Sequence, residues 1–136
     1  MSVRVDIRYD GSLRCAAIHE PSNTTLTTDA PRDNKGLGNS FSPTDLVATA
    51  LGTCILTTMA ISANNRGEAL DGASAIVHKE MVTDPKRRIG KLTVAITMPA
   101  ALSQASRERY EHIAHTCPVT QSLSDRTELV MTFSYA

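Results

Sequence analysis

The sequence has 136 residues, a length that suits one domain with a modest core. Fourteen Lys and Arg residues balance fourteen Asp and Glu residues, and neither sign forms a long block, which argues against a nucleic-acid-binding surface. Three cysteines do not make a disulfide scaffold, and the first residues lack the continuous apolar core of a secretory signal. We therefore expect a single domain over residues 1–136 in a cytoplasmic protein whose thiols stay reduced.

The N-terminal third predicts three strands followed by a loop. Polar and apolar residues alternate over 3–9, Asp10-Gly11 is a tight-turn signal, and the alternation resumes at Leu13. This pattern predicts a β-hairpin with Cys15 in the core. The stretch "NTTLTTDA" (23–30) predicts a third strand, and "PRDNKGLGNSFSP" (31–43) has the glycine, proline and asparagine content of a loop.

A long central helix is predicted from about Ser42 to about Ala63. Ser42 or Thr44 can cap its N-terminus, and Asp45 suits the positive end of the helix dipole. Residues 46–65 carry no charge and are long enough to cross a membrane. Threonines, a glycine and two asparagines interrupt this run, and no basic flanks accompany it, so a helix buried inside a soluble protein is the better interpretation.

The second half of the chain predicts two strands, two helices and a last strand. "ASAIVHKEMVTD" (73–84) and "GKLTVAITM" (90–98) flank a basic turn and predict an antiparallel pair. A helix over 103–116 can be capped by Ser103, Pro118 can open a short helix, and "TELVMTFSY" (127–135) predicts a strand. The element order indicates an α+β fold with antiparallel sheets flanking the central apolar helix.

Two cysteines are candidates for chemistry, and local sequence favours the second. Cys117 lies at the predicted N-cap of the helix that Pro118 opens, where free N–H groups and the dipole stabilise a thiolate. Cys54 lies within the apolar helix, where burial alone would raise its pKa. Taken singly, each is more often a structural residue. His112, His115 and Cys117 also have a spacing that could hold zinc, which is a weaker alternative.

Two motifs taken together resemble a known family. "SPTDLVATALGTC" (42–54) and "TCPVTQSL" (116–123) resemble the OsmC/Ohr family of thiol-dependent peroxidases, specifically a branch with the SPTDL…ALGTC pattern. The resemblance implies an OsmC-like fold, an intertwined homodimer and no bound cofactor or metal. It also implies that Cys54 is the peroxidatic thiol, oxidised by an organic hydroperoxide to a sulfenic acid. Cys117 then resolves this acid as a disulfide, which an external dithiol, possibly a lipoyl protein, reduces.

The resemblance also implies a cation beside the thiolate. Arg32 stands roughly where some members carry that arginine, whereas others take it from the first hairpin, where Arg8 and Arg14 lie. The family motif N-P-E-[EQ]-L has a glutamate where this chain has Thr44, so Asp45 either substitutes for it or only complements the helix dipole. This departure motivates an alternative function, a non-catalytic OsmC-like protein that binds a small hydrophobic or electrophilic ligand.

Overall fold

The computed structural model describes all residues 1–136, and its elements follow the predicted order. They are β1 (Val5–Gly11), β2 (Arg14–His19), β3 (Thr24–Asp29), α1 (Pro43–Asn65), β4 (Ser74–Val82), β5 (Arg88–Met98), α2 (Gln104–Ala114), α3 (Pro118–Ser122) and β6 (Glu128–Tyr135). The chain forms two compact units, residues 1–47 and 48–136. The assignment of the whole chain to one domain stays a prediction.

The first unit contains a three-stranded antiparallel sheet in the order β1-β2-β3. Ser12 and Leu13 make the hairpin turn, both with positive φ, so the turn lies just after the predicted Asp10-Gly11 pair. The prediction that Cys15 is a core residue is wrong, because its side chain is only half-buried. The buried residue of β2 is Ala16, which points to the opposite face of the strand.

The loop after β3 is held in place by hydrogen bonds to residues of β3 itself. The buried carboxylate of Asp29 accepts the N–H of Asn39 at 3.0 Å, and the hydroxyl of Ser40 donates to the Thr27 carbonyl at 2.8 Å. Gly36 packs directly on the start of the loop, since a Cβ there would lie 1.7 Å from the carbonyl oxygen of Ala30. The glycine-rich segment is therefore an ordered structure that tolerates no side chain at position 36.

The second unit contains a mixed sheet in the order β4-β5-β6. β4 and β5 are antiparallel as predicted, whereas β6 runs parallel to β5, so the expectation of purely antiparallel sheets does not hold for this pair. The physical reason is the connection between them. α2 and α3 lie between β5 and β6 in the chain, and a helical crossover of this kind returns the chain to the same end of the sheet.

Helix α1 supplies much of the core of the second unit, as predicted. Leu51, Ile55, Met59 and Ala63 recur every four residues on one face and are fully buried. Gly52 allows the helix to approach the sheet, because a Cβ at this position would lie 2.9 Å from a methyl group of Val77 on β4. The helix is long and apolar enough to cross a membrane, yet this face shows the burial of a core helix.

Helix α2 is fixed by a cap at its N-terminus and by hydrogen bonds from one of its faces to Glu68. Ser103 caps the helix by accepting the N–H of Ser106 at 3.2 Å, as the sequence predicts. The carboxylate of Glu68, just after α1, accepts the hydroxyls of Ser106, at 2.9 Å, and Tyr110, at 2.5 Å. Tyr110 is fully buried, so its hydroxyl needs this partner. These hydrogen bonds join α2 to the segment that follows α1.

Tyr135 of β6 connects the sheet to the neighbouring face of α2, one residue further along the helix at each contact. Its hydroxyl donates to the carboxylate of Glu111, and the guanidinium of Arg107 stacks on its ring, 4.0 Å from the centroid. Burial and the hydrogen bond to Glu111 raise the pKa of Tyr135 to about 12. The neutral phenol is therefore the form that the folded protein favours.

This shift predicts a loss of stability at alkaline pH. Because the pKa of Tyr135 is higher in the folded state, its contribution is complete below the ordinary tyrosine pKa and disappears as pH rises through about 12. After allowance for solvent screening, we expect the wild type to lose about 1 kcal/mol more than Tyr135→Phe over this range in urea unfolding. Tyr9→Phe, which removes an exposed phenol, is the control and should decline as the wild type does. Equal declines for Tyr135→Phe and wild type would refute the assignment.

Candidate functional site

Cys54 lies in the middle of α1 with its side chain half-buried. Its sulfur hydrogen-bonds with the hydroxyl of Thr58, one turn later, at a distance of 3.8 Å. Hydrogen bonding from the backbone N–H of Val119 and from the side chain of Cys117 also acts on this sulfur and lowers its pKa. The two cysteines that the motifs single out are thus neighbours in the folded chain.

Cys117 is fully buried and is the N-cap of α3, as predicted. Its sulfur accepts the N–H of Thr120 at 3.4 Å and lies 3.0 Å from the hydroxyl oxygen of the same residue. Pro118 occupies the first helical position, where it has no N–H to satisfy. The next two residues, Val119 and Thr120, therefore present the first free N–H groups of the helix, one to each sulfur.

The net effect of these contacts is to lower the pKa of Cys54 below its ordinary value. Burial is the largest single influence and raises the pKa, but hydrogen bonds from Val119 N–H, Thr58 and Cys117 together outweigh it. The prediction from local sequence, that burial alone decides the state of Cys54, is therefore wrong. The donors that reverse it come largely from α3, which lies far from Cys54 in the sequence.

The zinc alternative finds no support in the arrangement of side chains. No three His, Cys, Asp or Glu residues form a group that could hold a metal ion. The Cys117 sulfur is buried against α3, and the ring of His115 lies against that of Phe133, with 6.4 Å between the centroids. His112, His115 and Cys117 thus follow one another in sequence without forming a ligand set.

Asp45 belongs to the first unit, where it acts at the start of α1. Its N–H donates to the hydroxyl of Ser42 at 3.1 Å, and its carboxylate accepts the N–H of Ser42 at 2.9 Å. This reciprocal pair is a capping box, with Ser42 as the predicted cap. Any further role of Asp45 toward a thiolate stays a prediction.

The three candidate arginines also lie in the first unit. Arg32 begins a short 3-10 turn, and its Nε donates to the carbonyl of Leu37 at 3.2 Å. Arg8 pairs with Asp10 on the hairpin at 2.5 Å, and Arg14 lies 3.7 Å from the buried Asp29. Arg32 is therefore held by its own loop, and its role beside a thiolate stays a prediction.

Sequence analysis did not single out Thr58, Val119 or Thr120 as site residues. A signal for two of them was present. Thr58 follows Cys54 by four residues in a predicted helix, so the two side chains share a face, and Thr120 is the third residue of a helix capped by Cys117. Val119 carried no signal, because it contributes a backbone N–H whose direction depends on how α3 packs.

Comparisons with known proteins agree with the fold and the motifs. The model of the OsmC-like protein family matches residues 36–132. A candidate osmotic stress induced and detoxification response protein from Psychrobacter arcticus 273-4 shares 39% identity, with a TM-score of 0.89 over 95% of this chain and 93% of that chain. No curated protein matches the sequence.

Two further solved structures share the fold at low sequence identity. The organic hydroperoxide resistance protein OsmC of Legionella pneumophila is 17% identical, with a TM-score of 0.80 over 98% of this chain and 97% of that chain. The organic hydroperoxide resistance protein OhrB of Bacillus subtilis is 14% identical, with a TM-score of 0.71 over 98% of both chains. Together, the family match and the 39% identical structure establish that this chain belongs to the OsmC-like protein family.

Proposed function

We propose that the protein is a cysteine-based peroxidase that reduces organic hydroperoxides and, less well, hydrogen peroxide. The observation that carries this proposal is that Cys54 and Cys117 are neighbours and that surrounding hydrogen bonds, including one from Cys117, lower the pKa of Cys54. A thiolate is the nucleophilic form of cysteine, and a second thiol beside it can close a disulfide. Two proteins of the same fold are named for organic hydroperoxide resistance, which agrees with this chemistry.

The reaction proceeds in two steps within the chain and a third step outside it. The Cys54 thiolate attacks the distal oxygen of the hydroperoxide, so that an S–O bond forms and the O–O bond breaks. The departing alkoxide takes from solvent the proton that the thiol had released and leaves as the alcohol. The Cys117 thiol then attacks the sulfur of this sulfenic acid, forming the S–S bond and releasing water. An external dithiol, possibly a lipoyl protein, returns both cysteines to thiols by exchange.

Within this proposal, Arg32 supplies the positive charge that stabilises the thiolate and orients the peroxide oxygens. Asp45 supplies a carboxylate at the start of α1. A guanidinium suits this role because it is always charged and donates several hydrogen bonds. We expect Arg32→Met to lower kcat/KM for cumene hydroperoxide by about 10- to 100-fold, the loss of a few charge-assisted hydrogen bonds. Arg8→Met is the control, and a larger loss for Arg8→Met than for Arg32→Met would move the assignment to the hairpin.

The proposed assembly is an intertwined homodimer in the cytoplasm. Large apolar side chains remain exposed on both units, including Ile7 at 71% on β1, Ile61 at 58% on α1 and Ile76 at 63% on β4. Exposed apolar surface of this kind is typical of interfaces between subunits. Sedimentation velocity on the reduced protein measures the assembly, and a single-chain mass at micromolar concentration would exclude the dimer.

Titration of the reduced protein with cumene hydroperoxide tests the proposed function directly. We expect one equivalent of hydroperoxide to consume two of the three thiols of each chain, and peptide mass spectrometry to find a Cys54–Cys117 disulfide. Cys15, half-buried on β2, should remain a free thiol and serves as the internal control. Retention of all three thiols would favour the alternative, a non-catalytic OsmC-like protein that binds a small hydrophobic or electrophilic ligand.

A further inference from the structure

Two threonine hydroxyls flank the two sulfurs, one beside each. The hydroxyl oxygen of Thr58 lies 3.8 Å from the Cys54 sulfur, and that of Thr120 lies 3.0 Å from the Cys117 sulfur. Both threonine side chains are half-buried. Because Cys117 also acts on the pKa of Cys54, the four side chains form one series of interacting groups, Thr58–Cys54–Cys117–Thr120.

Two nearby threonines show what such a hydroxyl commonly does. Thr53, in the same helix as Thr58, donates to the carbonyl of Thr49 at 2.8 Å. Thr116, just before Cys117, donates to the carbonyl of Ile113 at 2.7 Å. Donation to a nearby carbonyl is the common local bond of a helical threonine. The hydroxyls of Thr58 and Thr120 reach the sulfurs, so these two positions differ in chemistry from their neighbours.

We propose that Thr58 and Thr120 are positioning residues, each holding one of the two sulfurs for a separate step. Thr58 stabilises the Cys54 thiolate for its attack, and Thr120 keeps the Cys117 side chain in the rotamer that faces Cys54. The inference rests on the proposed function, because it assigns the threonines to sulfenic acid formation and to disulfide closure.

For Thr58, the consequence is a change in how readily Cys54 ionises. A hydroxyl that donates to a thiolate favours the charged form, so its removal raises the pKa of Cys54. Cys117 is the titratable group hydrogen-bonded to Cys54, and it stays in place in this variant. Thr58→Val has nearly the shape of threonine without the hydroxyl, and Thr58→Ser keeps the hydroxyl without the methyl group.

The test for Thr58 is the pH dependence of alkylation by iodoacetamide, with the modified peptide identified as that of Cys54 by mass spectrometry. We expect Thr58→Val to move the midpoint upward by about half a pH unit to one unit, the size of one hydrogen bond. Thr58→Ser should keep the wild-type midpoint. An unchanged midpoint in Thr58→Val, or an equal shift in both variants, would overturn the role of Thr58.

For Thr120, the consequence is a change in how fast the disulfide closes. The Cys117 side chain has three staggered wells, and the hydroxyl and N–H of Thr120 hold the sulfur in one of them. Thr120→Val keeps the N–H and the β-branched shape but loses the hydroxyl. Spreading the side chain over three wells lowers the fraction that faces Cys54, and closure slows by about threefold.

Closure is measured with oxidised glutathione, which needs no hydroperoxide. The Cys54 thiolate displaces one glutathione thiolate to form a mixed disulfide, and Cys117 then displaces the second to form the internal disulfide. Acid quenching and mass spectrometry follow the decay of the mixed disulfide. We expect decay about three times slower in Thr120→Val and wild-type decay in Thr120→Ser. Wild-type decay in Thr120→Val, or slowing in both variants, would overturn the role of Thr120.

The outcomes of these two measurements do not depend on whether the protein reduces hydroperoxides. Both use the full protein and reagents other than peroxides, so they report on the sulfurs directly. A protein that ignores cumene hydroperoxide but shows both threonine effects would contradict the peroxidase and keep the positioning roles. A protein that reduces the hydroperoxide but shows neither threonine effect would overturn the positioning roles and support the peroxidase.

Discussion

If the protein is the proposed peroxidase, we expect that replacing Cys54 with serine abolishes hydroperoxide consumption, whereas replacing Cys117 with serine leaves one turnover. Cys54→Ser lacks the thiolate that attacks the peroxide, and loss of a reacting nucleophile costs on the order of 10⁴-fold or more in rate. Cys117→Ser still has that thiolate but cannot close the disulfide. Without added thiol, it should consume one equivalent of cumene hydroperoxide per chain and stop as a sulfenic acid at Cys54. Peroxide consumption and trapping of the sulfenic acid with dimedone measure both outcomes.

Cys15→Ser is the matched control for these two variants, because it makes the same chemical change at a cysteine of the first unit. It should turn over like the wild type. The local sequence of the chain gives a competing expectation, in which Cys117 at the N-cap of α3 attacks and Cys54 resolves. That order requires dimedone to label Cys117 in the Cys54→Ser variant. Such labelling would reverse the roles assigned to the two thiols.

Much of the fold could be predicted because its signals are local. The first hairpin, the capping residues Ser42 and Ser103, and the helix opened by Pro118 all depend on a few neighbouring residues. The parallel pairing of β5 with β6 could not be predicted in this way. Strand direction depends on where the connecting helices return the chain, and the residues of β6 give no indication of whether it pairs parallel or antiparallel to β5.

In the candidate site, too, local features could be predicted and features that depend on tertiary packing could not. The position of Cys117 at an N-cap follows from Pro118 alone, so sequence analysis could place it. The state of Cys54 depends on an N–H from Val119 and on the Cys117 side chain, which reach it only after α3 has packed beside α1. Family resemblance assigns the attacking role to Cys54, whereas local chemistry favours Cys117, because a family motif retains the effect of tertiary neighbours that a helix pattern does not contain.

We expect the largest effect on stability from a substitution in α1, the helix that carries Cys54. Leu51 lies one turn before Ile55 and is fully buried, so Leu51→Ala removes apolar contacts and leaves a cavity in the core of the second unit. We expect the free energy of unfolding in urea to fall by about 2 to 5 kcal/mol. Leu37→Ala makes the same truncation at a side chain that is 62% exposed, and it should change stability by less than about 0.5 kcal/mol. Similar losses in the two variants would mean that this face of α1 does not form the core, and the contacts that bring Cys54 to α3 would then need another support.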